Sequence, residues 1–407
     1  MQKYIKRQIA EIIKKQIKHF PSLALCGPRQ SGKSTLLKNI FGRTHSIISF
    51  DDPLTREKAI NDPKLFIENA GEHIIFDEIQ YVPQLLSYLK ILIDQDRHRN
   101  GRFIITGSQQ FQLIKNLGDS LAGRIVLFNL LPFSLEEKKS ITLLKDKIND
   151  TRTSFIHACL RGSFPEIAIH KNIDPSNWYG SYIQTYLERD IRSVYNVRSL
   201  REFQQFLYLL AARTAQILNL SNFSNDLGIS VNTIKKWLSI LEASQLIYIL
   251  PPYYSNLGKR ITKSPKVYFL DTGLVCYLTT IKHKEQLFSG PMSGALFENF
   301  VVQEVVKLFF NRGVRPNLFY LRTPNNLEID LIIEKNLEIF PFEIKLTKTP
   351  TINMAKAVDS FKKIFSKLNI KPGKIISLVD LDTPLTNSAL AVNINSCLSD
   401  LDKLIQE

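Results

Sequence analysis

The stretch Gly27-Pro28-Arg29-Gln30-Ser31-Gly32-Lys33-Ser34-Thr35 carries the residue types that hold a polyphosphate. Glycines let backbone N–H groups curl around phosphate oxygens, and a lysine reaches the terminal phosphates. A hydroxyl at a helix N-terminus ligates Mg2+. Gly27, Gly32, Lys33 and Ser34 fill those roles, with Gln30, Ser31 and Thr35 in the same loop, so ATP and Mg2+ are the expected ligands. Further along, Ile74-Ile75-Phe76 ends in Asp77-Glu78. Two carboxylates closing an apolar strand are costly unless a cation or a water needs them. Asp77 is expected to orient the water shell of the metal and Glu78 to polarise the attacking water.

Two other residues sit where they could join this chemistry. Ile104-Ile105-Thr106-Gly107 leads to Ser108, which either senses the γ-phosphate or closes a tight turn. In Leu121-Ala122-Gly123-Arg124, the arginine either stabilises charge on a neighbouring subunit's phosphate or is an ordinary surface residue.

A second constellation lies near the C-terminus. Glu343-Ile344-Lys345 in an extended strand puts the glutamate and lysine on one face and Ile344 in the core. Asp330 on an adjoining strand could meet them. Asp330 and Glu343 would bind a divalent ion, Glu298 on the preceding helix would complete its shell, and Lys345 would position or activate a water for attack on a phosphodiester. Spacing alone is weak support, because Glu136-Glu137-Lys138 repeats the pattern in what reads as an ordinary charged helix. The alternative is a retained fold that grips DNA or protein without cutting.

Between these sites, Phe223 and Leu227, a turn at Gly228, then Val231, Ile234, Leu238 and Leu241 predict two short helices meeting at an angle, a helix-turn-helix. The second helix would expose Asn232, Thr233, Lys235 and Lys236, residue types that contact phosphates and base edges. Small Ser224 permits close helix approach. Pro251-Pro252-Tyr253-Tyr254, then Gly258-Lys259-Arg260 and a strand at 266–270 fit a winged version with a basic wing. Such modules serve as DNA readers or as protein-docking elements.

Five short apolar runs at 23–26, 46–50, 73–76, 102–106 and 124–128 are the strands that must carry the first site. Their continuous apolar character is that of a parallel sheet buried on both faces. For the C-terminal site, helices at 295–310 and 355–368 alternate with strands near 318–321, 327–333, 337–344 and 374–378, an α/β sandwich pattern. Ile5, Ile9, Ile12, Ile13 and Ile17 recur among lysines, predicting an amphipathic helix over 1–20 stopped by Pro21. The 407 residues suffice for about two to four domains. With 44% hydrophobic and 22% charged residues, a wholly disordered or fibrous chain is excluded. A formal net charge of +15 points either to a polyanionic partner, DNA being the expectation, or to solvated lysine faces. Cys26, Cys159, Cys276 and Cys397 form no CxxC pair, which argues against a disulfide framework or zinc knuckle and fits a reducing cytoplasm. No apolar run is long enough for a membrane span.

The order phosphate loop, Phe-Asp-Glu-Ile-Gln, Ile-Thr-Gly-Ser, Leu-Ala-Gly-Arg and Leu-Leu-Pro-Phe-Ser resembles a bacterial and archaeal group of AAA-type ATPases fused to a C-terminal region of long-unassigned function. The resemblance implies an added central strand in the sheet, Ser108 as sensor, Arg124 as finger, and oligomers whose sites are completed across subunits. Arg161-Gly162-Ser163-Phe164-Pro165-Glu166 and Tyr186-Leu187-Glu188-Arg189-Asp190-Ile191 look like the helical lid of that group, whose usual phosphate-touching arginine could be Arg161, Arg189 or Arg192. Leu296-Phe297-Glu298-Asn299-Phe300, Asn326-Leu327-Glu328-Ile329-Asp330 and Phe342-Glu343-Ile344-Lys345 resemble the PD-(D/E)xK nuclease superfamily. That superfamily's metal ligands and lysine map onto Asp330, Glu343 and Lys345, with Glu298 as the helix acid; the proline it often carries before the aspartate is absent. The expected fold is α/β: a P-loop AAA-type parallel sheet core (21–135) behind the N-terminal helix (1–20), a helical lid (136–205), a winged helix-turn-helix (206–285) and a restriction-endonuclease-like domain (290–407). The expected function is an ATPase whose nucleotide state controls a DNA-binding, potentially DNA-cleaving C-terminal domain. The alternative is a nucleotide-dependent switch without nuclease chemistry.

Overall fold

The computed structural model describes residues 4–107, 121–141, 150–186, 191, 199–254, 264–325 and 327–407. The chain divides into two units, one of residues 1–133, 243–245 and 310–314, the other of residues 134–242, 246–309 and 315–407.

In the first unit, β1 (Ser22–Cys26), β2 (Ser46–Ser49), β3 (Ile74–Asp77), β4 (Phe103–Gly107) and β5 (Ile125–Asn129) form one sheet in the order β2-β3-β4-β1-β5. Every pairing is parallel. The three inner strands are buried along their whole length, whereas edge strands β2 and β5 are partly exposed. That is why the inner strands read as unbroken apolar runs. Alternation along β1 sends Leu23 and Leu25 to one face with Leu36, Leu37 and Ile104, and Ala24 and Cys26 to the other with Phe76, Phe103, Leu85 and Leu89. Ile9, Ile13 and Ile17 pack on the first of these faces. Their helix is shorter than the expected 1–20, running only over Ala10–Gln16. Ile9 caps it with no side-chain acceptor for the first N–H groups. β4 lies between β1 and β3, so the added central strand is present.

The second unit begins with Leu135–Lys139, capped by a reciprocal Ser134–Glu137 box. Helices Thr151–Leu160, Pro165–Ile169, Pro175–Tyr186 and Leu200–Ala212 follow. Two glycines decide how this segment closes. Gly162 has φ +84°, and a Cβ there would sit 1.9 Å from Tyr179 Oη; a Cβ on Gly273 would lie 2.6 Å from Gly162 Cα. Asp271 ties the contact by accepting from Ser163 N at 2.7 Å and from the Tyr179 hydroxyl. Helices Leu220–Leu227 and Val231–Ala243 are joined through Gly228 at φ 67°, and Ser224 Oγ donates to Ile229 O, which fastens the turn. Phe223 and Trp237 of these helices meet Phe203 and Phe206 edge-on or tilted. β6 (Ile247–Leu250) and β7 (Lys266–Phe269) then pair antiparallel.

After the helix Ser293–Asn311 come β8 (Leu318–Arg322), β9 (Glu328–Lys335), β10 (Glu338–Ile344), β11 (Asn369–Ile370), β12 (Gly373–Ile376), β13 (Thr383–Thr386) and β14 (Ala389–Val392). They form a mixed sheet in the order β13-β14-β12-β10-β9-β8, with β11 beside β10. β8, β9 and β10 run antiparallel, while β10, β12 and β14 run parallel. Helix Ile352–Ile364 covers the sheet through Ala355, Val358 and Phe361, and Ile394–Gln406 closes the chain. Among the described residues, no helix is long and apolar enough to cross a membrane.

Candidate functional site

The loop after β1 turns sharply because Gly32 takes φ 94° and Gln30 takes φ 60°. A side chain at Gly27 would put its Cβ 2.3 Å from Leu130 O, so the backbone must stay bare there. Arg7 braces the outside of the loop, donating to Ser31 O at 2.8 Å and Leu131 O at 2.5 Å. Lys33 opens the helix Lys33–Phe41, and its buried ammonium donates to Gly27 O at 2.9 Å and Pro28 O at 3.1 Å. Burial pulls this ammonium below the usual lysine range, while Glu78 and Asp77 pull it back up. Among the described residues, Ser31 Oγ is buried without a hydrogen-bond partner. A bare-backbone cradle, a buried ammonium and an orphaned hydroxyl fit a polyphosphate.

Ser34 and Asp77 meet as the sequence predicts. Ser34 Oγ lies 2.9 Å from both carboxylate oxygens of Asp77. Burial raises the Asp77 carboxyl above its usual range, opposed by the Thr106 hydrogen bond. A hydroxyl and a carboxylate held together beside a phosphate cradle suit a hydrated Mg2+. Glu78 follows in the left-handed region at φ 57°. Its carboxylate accepts from Gln80 Nε2, and its N–H donates to Thr106 Oγ1 at 3.2 Å. Thr35 is exposed on the first helical turn. Beneath the loop, burial pushes the Cys26 thiol up to about 12, so it is no nucleophile.

Thr106 is the residue the sequence reading passes over. It donates to Asp77 Oδ1 at 2.5 Å while accepting from Glu78 N, so one buried hydroxyl ties the Asp77 carboxylate to the Glu78 backbone. Its only signal is a hydroxyl ending an otherwise apolar run. Gln80, two residues beyond Glu78, is the other omission. Ser108 lies outside the described residues. Arg124 precedes β5, whose first residue pairs with Ser22 at the start of β1. The phosphate loop leaves the opposite end of β1, a strand of five residues, or about 16 Å. Arg124 therefore lies at the far end of the sheet from its own chain's loop. Its guanidinium forks onto Asp94 at 2.7 and 2.9 Å.

Among the lid arginines, Arg161 donates to His170 O; Arg189 and Arg192 lie outside the described residues. On the helix Val231–Ala243, Asn232, Lys235 and Lys236 are exposed, and Thr233 is half-buried with its hydroxyl 2.9 Å from Ser230 Oγ. The basic wing residues Gly258, Lys259 and Arg260 lie outside the described residues.

In the second unit, Asp330 on β9 and Glu343 on β10 share the ammonium of Lys345, at 3.0 Å and 2.7 Å. Asp330 also accepts from Ile344 N at 2.8 Å. Glu298 turns elsewhere: its Oε1 accepts from Lys266 Nζ at 3.0 Å and from Tyr268 Oη at 2.5 Å. Lys266 bridges onward to Glu328 at 3.0 Å. Among the described residues, no group of three or more His, Cys, Asp or Glu is placed to hold a metal ion. Glu298, Asp330 and Glu343 thus each give one carboxylate oxygen to a lysine. Burial pushes Glu343 up to about 8 and Glu298 up to about 7. Burial opposes the charge of both lysines, but their carboxylate neighbours hold them above the usual range. The comparison triplet also differs from expectation: Lys138 is fully buried, 3.1 Å from Ser163 Oγ, rather than on a solvated face.

Residues 19–139 match the family model described as "AAA domain". This segment is an AAA-type P-loop domain. Residues 152–285 and 293–397 match two models described as domains of unknown function, DUF8612 and DUF4143. An uncharacterized protein of Mycobacterium tuberculosis, Rv2008c, is 29% identical over 398 residues, covering 97% of this chain and 85% of that protein. MJ1544, an uncharacterized protein of Methanocaldococcus jannaschii, is 26% identical over 374 residues, covering 84% and 78%. Of solved structures, the Walker-type ATPase PABY2304 of Pyrococcus abyssi aligns with TM-score 0.46 and 16% identity, over 68% of this chain and 96% of that one.

Proposed function

We propose that the protein binds MgATP on the loop Gly27–Thr35 and hydrolyses it. The observation that carries the reading is the linked set Ser34–Asp77–Thr106–Glu78, in which one carboxylate is fixed at the helix N-terminus and the next is held at the strand end. Bound MgATP supplies a γ-phosphorus whose charge the ion screens. Gly27, Gln30, Ser31, Gly32 and Thr35 line the phosphates. Lys33 exchanges its loop carbonyls for phosphate oxygens and so regains a full counter-charge. Ser34 and Asp77 hold the ion, and Glu78, positioned by Gln80 at its carboxylate and by Thr106 at its backbone, takes a proton from the attacking water. Ser108 next to Gly107 is the proposed γ-phosphate sensor. Arg124 is the proposed finger toward another copy of the chain, since it lies at the far end of the sheet from its own loop; a homo-oligomer is the working assembly.

DNA is the proposed partner of the second unit. Asn232, Lys235 and Lys236 are exposed on one short helix, and the chain carries a formal net charge of +15. Lysines already pairing the carboxylates of Glu298, Asp330 and Glu343 favour the version in which ATP turnover drives a binding switch without strand cleavage. The test is nucleotide binding and phosphate release by wild type, Lys33→Ala and Glu78→Gln. Binding lost in Lys33→Ala, and binding kept with turnover lost in Glu78→Gln, is the expected pattern; wild type without ATP binding overturns the reading. Supercoiled DNA with Mg2+ or Mn2+ in the same reactions should stay intact, and cleavage abolished by Asp330→Ala would restore the nuclease reading.

A further inference from the structure

Cys159 and Cys276, far apart in sequence, meet inside the second unit. Cys159 lies near the end of the helix Thr151–Leu160 and Cys276 within the helix Thr272–Leu278. The two helices pack together, and glycines set how closely. Gly162 follows Cys159 by three residues and Gly273 precedes Cys276 by three, and a Cβ on Gly273 would lie 2.6 Å from Gly162 Cα. Three residues is nearly one helical turn, so Cys276 stands on the same face as Gly273 and is carried toward the crossing with it. There the Cys159 thiol donates to the Cys276 sulfur and accepts from the Thr272 hydroxyl. Sulfurs already in hydrogen-bond contact are the starting arrangement for a disulfide.

A second observation is independent of the pairing. A dithiol sealed in a core is inert, and Cys159 and Cys276 are only 1% and 2% exposed. Yet both line a cavity of about 650 Å3, together with Gly273, Tyr179, Tyr208 and Tyr277. Space for a small molecule therefore reaches the sulfurs. The other cysteines, Cys26 and Cys397, are fully buried, and burial pushes each thiol up to about 12. Burial, with the hydrogen bond to Cys276, also holds the Cys159 thiol well above its ordinary range. Cys159 thus keeps its proton, leaving Cys276 as the sulfur to react first.

We propose that Cys159 and Cys276 form a modification site, a dithiol that hydrogen peroxide entering the cavity oxidises reversibly to a disulfide. The Cys276 sulfur attacks one peroxide oxygen, so an S–O bond forms, the O–O bond breaks, and the other oxygen leaves as water with the Cys276 proton. The Cys159 sulfur then attacks the sulfenic sulfur, so the S–S bond forms, the S–O bond breaks, and a second water leaves with the Cys159 proton. The dithiol loses two electrons and the peroxide gains them. The new bond staples the helix Thr151–Leu160 to the helix Thr272–Leu278 where Gly162 meets Gly273, and a thiol reductant releases it. In a reducing compartment such a bond is transient, as in redox-sensing pairs. Nothing in this step depends on the nucleotide chemistry of the first unit.

The experiment treats the reduced, folded full chain with hydrogen peroxide, counts free thiols over time and maps peptides without reductant. All four cysteines are free at the start. Cys159 and Cys276 should disappear together, at least about tenfold faster than the sealed thiols of Cys26 and Cys397. A peptide joining Cys159 to Cys276 should appear, and reductant should restore both thiols. Cys159→Ser should stop at a sulfenic acid on Cys276, trapped by dimedone, whereas Cys276→Ser should leave Cys159 a thiol over the same interval. Loss of all four thiols at one rate, which reports oxidation through unfolding, overturns the site. So does a wild type in which Cys159 and Cys276 stay free at peroxide concentrations that oxidise free cysteine, or end as separate oxyacids with no bond between them. Wild type alone gives these outcomes, so a variant that fails to fold does not rescue the proposal.

Discussion

Replacing Thr106 by Val removes one hydroxyl and little else, and its consequences can be worked from two bonds. Thr106 is fully buried, donates to Asp77 Oδ1 at 2.5 Å and accepts from Glu78 N at 3.2 Å. A hydrogen bond to a charged acceptor contributes about 1.5–3 kcal/mol. If Asp77 must stay ionised and placed to hold the ion, losing that bond costs roughly 10- to 150-fold in kcat, at 1.36 kcal/mol per factor of ten. The orphaned Glu78 N–H adds a stability loss of about 1–3 kcal/mol. The pH profile gives an independent check. The Thr106 bond opposes the upward push of burial on Asp77, so without it the carboxyl rises further, and the acid limb of the ATPase profile should move to higher pH. The assay is phosphate release at saturating MgATP from pH 5.5 to 9, with nucleotide affinity measured in parallel and Thr106→Ser as the control that keeps the hydroxyl. A Thr106→Val enzyme with kcat within about twofold of wild type and an unmoved acid limb would refute the role of Thr106 in holding the Asp77 carboxylate.

Gly162→Ala should destabilise the second unit by more than about 3 kcal/mol, since its Cβ would lie 1.9 Å from Tyr179 Oη at φ +84°; a melting temperature within 2 °C of wild type, about 1 kcal/mol or less, would contradict this. Burial lowers Lys138 to about 8. The unfolded chain therefore binds more protons than the folded one between about pH 8 and the usual lysine value, and stability contributed at this site rises with pH through that window. Lys138→Met should flatten that slope in denaturant titrations at pH 7.5, 8.5 and 9.5, and an unchanged slope counts against a buried, depressed lysine. Charge reversal at Lys235 and Lys236 should weaken duplex DNA binding by at least about tenfold and reduce the salt dependence by about one to two counterions. Unaltered affinity would place the nucleic-acid surface elsewhere or nowhere on the chain.

The inner strands were legible because burial on both faces forces uninterrupted apolar runs, as in Leu23–Cys26 and Ile74–Phe76. The loop Gly27–Thr35 was legible because phosphate chemistry leaves few alternatives at its glycines and lysine. Ser34 and Asp77, far apart in sequence, followed from the same chemistry. The rest depends on partners that spacing does not announce. Thr106 hides in Ile104-Ile105-Thr106, where a hydroxyl looks like a strand ending. Lys138 sits among Glu136, Glu137 and Lys139 and reads as solvated, yet its partner Ser163 is 25 residues away and buries it. Glu298 reads as a helix acid for a metal until Lys266, 32 residues earlier, is found on its oxygen. β13 escaped because Thr383-Pro384-Leu385-Thr386 is a partly exposed edge with no apolar alternation to mark it. Local patterns thus located the elements and the loop Gly27–Thr35, while the charge balance of buried carboxylates was set by contacts across the fold.

Hydrolysis of ATP at Glu78 is the claim on which the functional account stands, and single-turnover hydrolysis tests it most directly. With enzyme in excess over radiolabelled ATP and Mg2+ present, wild type should convert the bound nucleotide to ADP and phosphate. Glu78→Gln should retain the nucleotide and release at least about a hundredfold less phosphate over the same interval, as expected for loss of a general base. Equal conversion by Glu78→Gln, or bound ATP left intact by wild type, would contradict it.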